Sequence, residues 1–140
     1  MGSDIHTRAE KRVNGKWEVI PFSPFDWRNY DMFAFLAGVR NSIAITPIST
    51  PRGIPDDEPL DVNDEPPLGD HSWSWLSVEE LASYNYDQEI EIVVPPPAGS
   101  DEPAGRRRMT LRFLLGSSFF DDIKKLQDLG AERIVFGFDN

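Results

Sequence analysis

The sequence predicts an α+β fold: a small mixed or antiparallel sheet with about three helices packed on it, interrupted by long proline-rich acidic loops. Three stretches carry that prediction. Residues 3–10 alternate, with Ile5, Thr7 and Ala9 to one side and Asp4, His6, Arg8 and Glu10 to the other, the period of a strand. Residues 30–39 place Met32, Phe33, Phe35, Leu36 and Val39 at helical spacing behind Asn29, a good cap. The final stretch, Glu132 to Phe138, has the β-branched and aromatic content of a buried strand.

In chain order, Asn14-Gly15 supplies the two positive φ values of a tight type I′ turn, so Trp17 to Ile20 should return as the antiparallel partner of the first strand. Pro21 and Pro24 end the hairpin before the helix over 30–39. Residues 42–70 hold Pro47, Pro51, Pro55, Pro59, Pro66 and Pro67, with acidic runs at 56–58 and 61–65, and should form a long loop. Within it, Pro51-Arg52-Gly53 restrains a guanidinium beside a residue without a side chain. His71 to Leu76 leads into a helix over 77–84, opened by the capping box of Ser77 and Glu80. A strand over 89–94 is stopped by three prolines, and 95–105 reads as a second loop. Arg106 to Arg108, the only basic run, reads as a solvated strand or helix start. A helix from Phe119, capped by Ser118, ends at Gly130. The terminal strand should lie mid-sheet beside the hairpin.

At 140 residues the chain is most simply one domain over 1–140. A formal net charge of -10 excludes broad electrostatic binding to DNA, RNA or an anionic membrane, which requires clustered Lys and Arg. With no cysteine there is no disulfide, thiolate metal site or cysteine nucleophile. The first twenty residues, with Asp4, Glu10 and Glu18, do not read as a secretory signal, and a cytoplasmic protein is expected.

Several segments resemble a small-protein family of bacteriophages and some bacterial genomes. Its members begin Met-Gly-Cys-Asp-Ile-His and carry Arg-Asn-Tyr before a helix ending Val-Arg-Asn. They continue with Pro-Arg-Gly-hydrophobic-Pro and Asp-x-His-Ser-x-Ser-Trp-Leu, and finish Val-Phe-x-Phe-Asp-Asn. The corresponding residues here are Met1 to His6, Arg28 to Tyr30, Val39 to Asn41, Pro51 to Pro55, Asp70 to Leu76 and Val135 to Asn140. Ser3 replaces the family's cysteine, and His71 follows Asp70 directly. The resemblance implies a phage accessory protein acting in the cytoplasm of an infected bacterium.

The leading expectation is non-enzymatic binding of a small nucleotide, a cyclic dinucleotide or an ADP-ribose-type immune messenger, with no cofactor. Phosphates call for Arg, bases for an aromatic face, and base edges for Asn, Ser or His. Arg28, Arg40 and Arg52 are the phosphate candidates, Tyr30 and Trp75 the stacking candidates, and Asn41, His71, Ser72 and Ser74 the polar readers. Each has a structural alternative: Trp75 as core beside Leu76, and Arg40 and Asn41 as helix C-terminal chemistry. A homo-oligomer that builds its pocket between subunits is also expected. A second reading is a metal-dependent hydrolase using Asp4, His6, His71 and Asp139. A third is an acidic mimic of nucleic acid that presents residues 56–58 and 61–65.

Overall fold

The computed structural model describes residues 2–58 and 68–140, so the acidic run 61–65 and Pro59, Pro66 and Pro67 lie outside the described residues. The fold is α+β, with six strands in two antiparallel sheets and four helices among the described residues. Backbone contacts group the chain into two units: residues 1–28, 51–84 and 118–140, and residues 29–50 and 85–117.

The first unit is built on a sheet of order β2-β1-β6-β3. Its strands are β1 (Asp4–Val13), β2 (Lys16–Ile20), β3 (His71–Ser77) and β6 (Arg133–Asp139). The predicted hairpin is present: Val13 pairs with Lys16 across Asn14-Gly15, whose φ values are 52° and 81°. β6 lies mid-sheet between β1 and β3, as its apolar content predicts, and every residue from Arg133 to Phe138 is buried. Because cross-strand partners point to the same side, the register places Asp4, His6, Arg8 and Glu10 on one face with Asp139, Gly137, Val135 and Arg133. Trp75 and Ser77 of β3 and Trp17 of β2 join that polar face.

The stretch 71–76 is itself a strand rather than a lead-in. Ser74 and Leu76 are buried while Trp73 and Trp75 turn outward, and a bulge with Ser72 at φ 57° separates His71 from the regular ladder. Helix α2 (Val78–Ser83) follows with the predicted capping box: Ser77 Oγ accepts from Glu80 N at 3.0 Å, and Glu80 accepts from Ser77 N at 2.7 Å. Helix α4 (Ser117–Asp128) begins two residues before Phe119 and buries Phe119, Ile123 and Leu126 along one side. Phe25, fully buried at φ 59°, stacks on Phe119 at 4.7 Å and donates its N–H to Asp122 at 2.8 Å, which together hold a bulky residue in a left-handed conformation.

Loop segments are fastened across the sheet by backbone bonds. Asp70 N–H donates to Phe138 O at 2.7 Å, Gly53 N–H to Trp73 O at 2.8 Å, and Arg52 N–H to Ser74 Oγ at 3.0 Å. Gly137 makes this possible, since a Cβ there would collide with the Leu68 carbonyl and stand 2.7 Å from Trp73 Cδ1.

The second unit holds α1 (Tyr30–Ala37), the hairpin of β4 (Glu89–Val94) and β5 (Gly105–Thr110), and α3 (Leu111–Leu115). Asn29 caps α1 as expected, accepting from Met32 N at 3.2 Å. The helix stops at Gly38, φ 73°, so Val39 lies outside it. The arginine run forms exposed strand β5, paired with β4, and the apolar residues behind it make the short helix α3, capped by Thr110. Among the described residues no helix is long and apolar enough to cross a membrane.

Substituting Gly137→Ala should lower unfolding free energy by about 1–3 kcal/mol, the usual range for overpacking against immovable neighbours. Urea denaturation measures it, and an unchanged midpoint would show that the Leu68 carbonyl is not held against β6.

Candidate functional site

A cavity of about 610 Å³ opens on the polar face of the first unit. Its walls bring together Trp17 and Trp75, the guanidinium-bearing Arg12, Arg52 and Arg133, and the carboxylates of Asp56, Asp57 and Glu132. Alternation on the strands explains the convergence: Arg12 pairs with Trp17, and Ser77 pairs with Arg133, so side chains from four strands share one surface.

Arg133 is the buried centre. Its side chain is 7 % exposed; Nε donates to Glu10 Oε1 at 2.6 Å, Nη1 to Asp57 Oδ1 at 2.9 Å and Nη2 to Glu58 Oε2 at 3.4 Å. The guanidinium lies 3.8 Å from the Trp17 ring centroid, and that of Arg12 lies 4.7 Å from it. Arg12 N–H is bonded to Glu132, but among the described residues the Arg12 guanidinium makes no ion pair. Trp17 Nε1–H donates to Asp57 Oδ2 at 2.7 Å. Arg133 and the Trp17 indole hold the Asp57 carboxyl below the usual carboxylate range.

Arg52 forms the opposite wall. It grips Glu80 through two bonds of 2.8 and 2.6 Å, donates to Trp75 O at 3.2 Å, and lies 4.8 Å from the Trp75 ring centroid. Glu80 serves both this pair and the cap of α2, and the Arg52 bond is the main reason its pKa is lowered.

Behind the cavity, Glu58 is 2 % exposed and faces Glu10, fully buried, with Arg8 at 3.3 Å. Burial, then the neighbouring Glu10 carboxyl, push Glu58 up to about 8, against the opposing pull of Arg133 and Arg8. Glu10 Oε2 is buried with no hydrogen-bond partner among the described residues.

Of the residues expected at a site, Arg52 and Trp75 meet in this cavity. Arg28, also in the first unit, forms a two-point pair with Asp4, both bonds 2.9 Å, which lowers the Asp4 pKa. His71 Nδ1 contacts Ser72 Oγ at 2.9 Å, its ring stacks on Phe138 at 6.2 Å, and its Nε2 is buried without a hydrogen-bond partner among the described residues. Ser74 is buried and accepts from Arg52 N. Tyr30, Arg40 and Asn41 belong to the second unit. There Arg40, at φ 54° beyond the helix, lies 5.5 Å from the Tyr30 ring centroid. The Asn41 amide closes a turn by bonding both Ile45 N and Ile45 O. Both residues lie beyond Gly38, where α1 ends.

His6 Nε2 and Asp139 Oδ2 are 2.5 Å apart, beside the Asp4–Arg28 pair. Ser3 is buried and donates to Asn140 Oδ1 at 2.8 Å. Residues near the two ends of the chain thus meet at one end of the sheet. Among the described residues no three His, Asp or Glu side chains gather closely enough to hold a metal ion. Asp57 and Glu58, expected as outward charges of a nucleic-acid mimic, turn toward Arg133.

Sequence reasoning missed Arg12, Trp17 and Arg133. One signal was present: Arg133 is a cation opening an otherwise apolar strand, in register with Glu10. Comparison with family models, curated proteins and solved structures finds no match to this chain.

The raised pKa of Glu58 makes stability depend on pH: the native state binds the extra proton between about 4.5 and about 8, and stability should fall as pH rises through that window. Glu58→Gln, which removes the titrating group at nearly the same size, should flatten the decline in urea midpoints between pH 5 and pH 8.5. An identical pH profile in both proteins would place the proton elsewhere.

Proposed function

We propose that this chain binds a small nucleotide, without turnover, in the cavity between Trp17 and Trp75. The observation that carries the reading is the cavity's composition. Within a chain of 24 acidic and 14 basic residues, three guanidinium groups and two indoles share one opening of about 610 Å³. That volume suits a nucleotide-sized molecule. Guanidinium groups match phosphate oxygens with paired donors, and indoles accept any base by its π-face.

The setting implied by the family resemblance, a phage protein in an infected bacterium, makes sequestration of a nucleotide immune messenger the biological form of this proposal. Arg52 and Trp75 stay in the proposed contact set, with Arg12, Trp17 and Arg133 added.

Thermal shift and calorimetry with cyclic dinucleotides, ADP-ribose and mononucleotides test the reading. A ligand at 100 times its dissociation constant should stabilise the fold by about 2.7 kcal/mol and be recovered unchanged. Arg12→Ala, at an exposed residue without an ion pair, should weaken binding by about tenfold while leaving the melting temperature of the free protein unaltered. No stabilisation by any nucleotide in the panel would overturn the proposal.

A further inference from the structure

We infer that Asp57 is an internal competitor, its carboxylate occupying the seat that an anionic group of the ligand takes when it binds to Trp17 Nε1 and Arg133 Nη1. The inference rests on the nucleotide reading and deepens it by naming the phosphate subsite and what guards it.

The two donors and the acceptor differ in how firmly they are held. Trp17 sits on β2 in register with Arg12, and Arg133 sits on the central strand with its side chain 7 % exposed. The Nε and Nη2 groups of Arg133 are fixed by Glu10 and Glu58, so Nη1 keeps its direction whether or not Asp57 is present. Asp57, by contrast, has a side chain 59 % exposed, on a connecting segment outside any strand or helix. An indole N–H at 2.7 Å and a guanidinium N–H at 2.9 Å converge on its two oxygens, a pattern that two oxygens of a phosphate reproduce.

Charge points the same way. Arg133 meets Glu10 and Asp57 through separate nitrogens, so exchanging Asp57 for another anion keeps an anionic partner on Nη1. Arg12, over the same indole, then meets the additional charge of a phosphate. Asp57 and Trp17 also line a second depression of about 350 Å³ with Lys16, which places Asp57 where the two openings meet.

The test titrates the full chain, Asp57→Ala, Asp57→Asn, Asp56→Ala and the double variant Asp57→Ala with Trp17→Phe against inorganic pyrophosphate and ADP-ribose. Both Asp57 variants should bind pyrophosphate more tightly, Asp57→Ala by about tenfold, the scale of a charged hydrogen bond. Asp56→Ala should change affinity less than twofold, and Trp17→Phe should remove the gain while keeping an aromatic ring. Equal gains from Asp56→Ala and Asp57→Ala would reduce the effect to general charge repulsion and overturn the inference. No gain in either Asp57 variant would also overturn it, leaving the nucleotide reading intact if wild type still binds ADP-ribose. Tighter pyrophosphate binding by the Asp57 variants, with no nucleotide of the wider panel bound by any protein, would keep the seat and remove the nucleotide. Failure of every protein to bind pyrophosphate, ADP-ribose or any nucleotide of that panel would remove both.

Discussion

A buried guanidinium at the start of the central strand sets the terms for the first unit. Arg133 is surrounded by Glu10 from the neighbouring strand and by Asp57 and Glu58 from the loop. Removing one partner of such a cluster strands a charge in a poorly solvated place, which typically costs about 3–5 kcal/mol. The loop through residue 58 is thus fastened to the sheet by hydrogen bonds from Arg133 at one end and by backbone bonds to β3 at the other. The Glu10 and Glu58 side chains at that end are almost wholly buried.

The same cluster gives the cavity its character. A strongly acidic chain repels anions at long range, so any anionic ligand must be recognised through contacts at short distance. Arg12, Arg52 and Arg133 reach the cavity from three separate segments, beside the Trp17 and Trp75 indoles. Burial and the neighbouring Glu10 raise the Glu58 pKa behind it. The titration of a buried residue, the docking of a loop and the lining of the cavity therefore involve one set of side chains.

Much of the architecture was legible in the sequence because local chemistry decided it. Asn14-Gly15, the Asn29 cap and the Ser77–Glu80 box each specify a conformation within four residues, and all three are present. β3 was less legible because Ser72 breaks its alternation with a bulge, and α3 because a five-residue helix carries too short a period to register. The site was legible only in part. Arg52 and Trp75 stood out by their restrained turn and their aromatic motif, but Arg12, Trp17 and Arg133 meet through strand register, a long-range property that no window of sequence reports. Arg28 illustrates the converse: its position beside the main helix suggested a ligand contact, whereas its partner is Asp4, at the start of β1.

The four tryptophans give the account its most direct measurement, because their indole N–H groups resolve as separate signals in a nitrogen-15 correlation spectrum. Titration with ADP-ribose or a cyclic dinucleotide should move the Trp17 indole most, as its N–H exchanges Asp57 for ligand, and Trp75 with it, while Trp27 and Trp73 stay in place. Saturable shifts confined to Trp27 or Trp73, or no shift in any of the four, would contradict a binding site centred on Arg133.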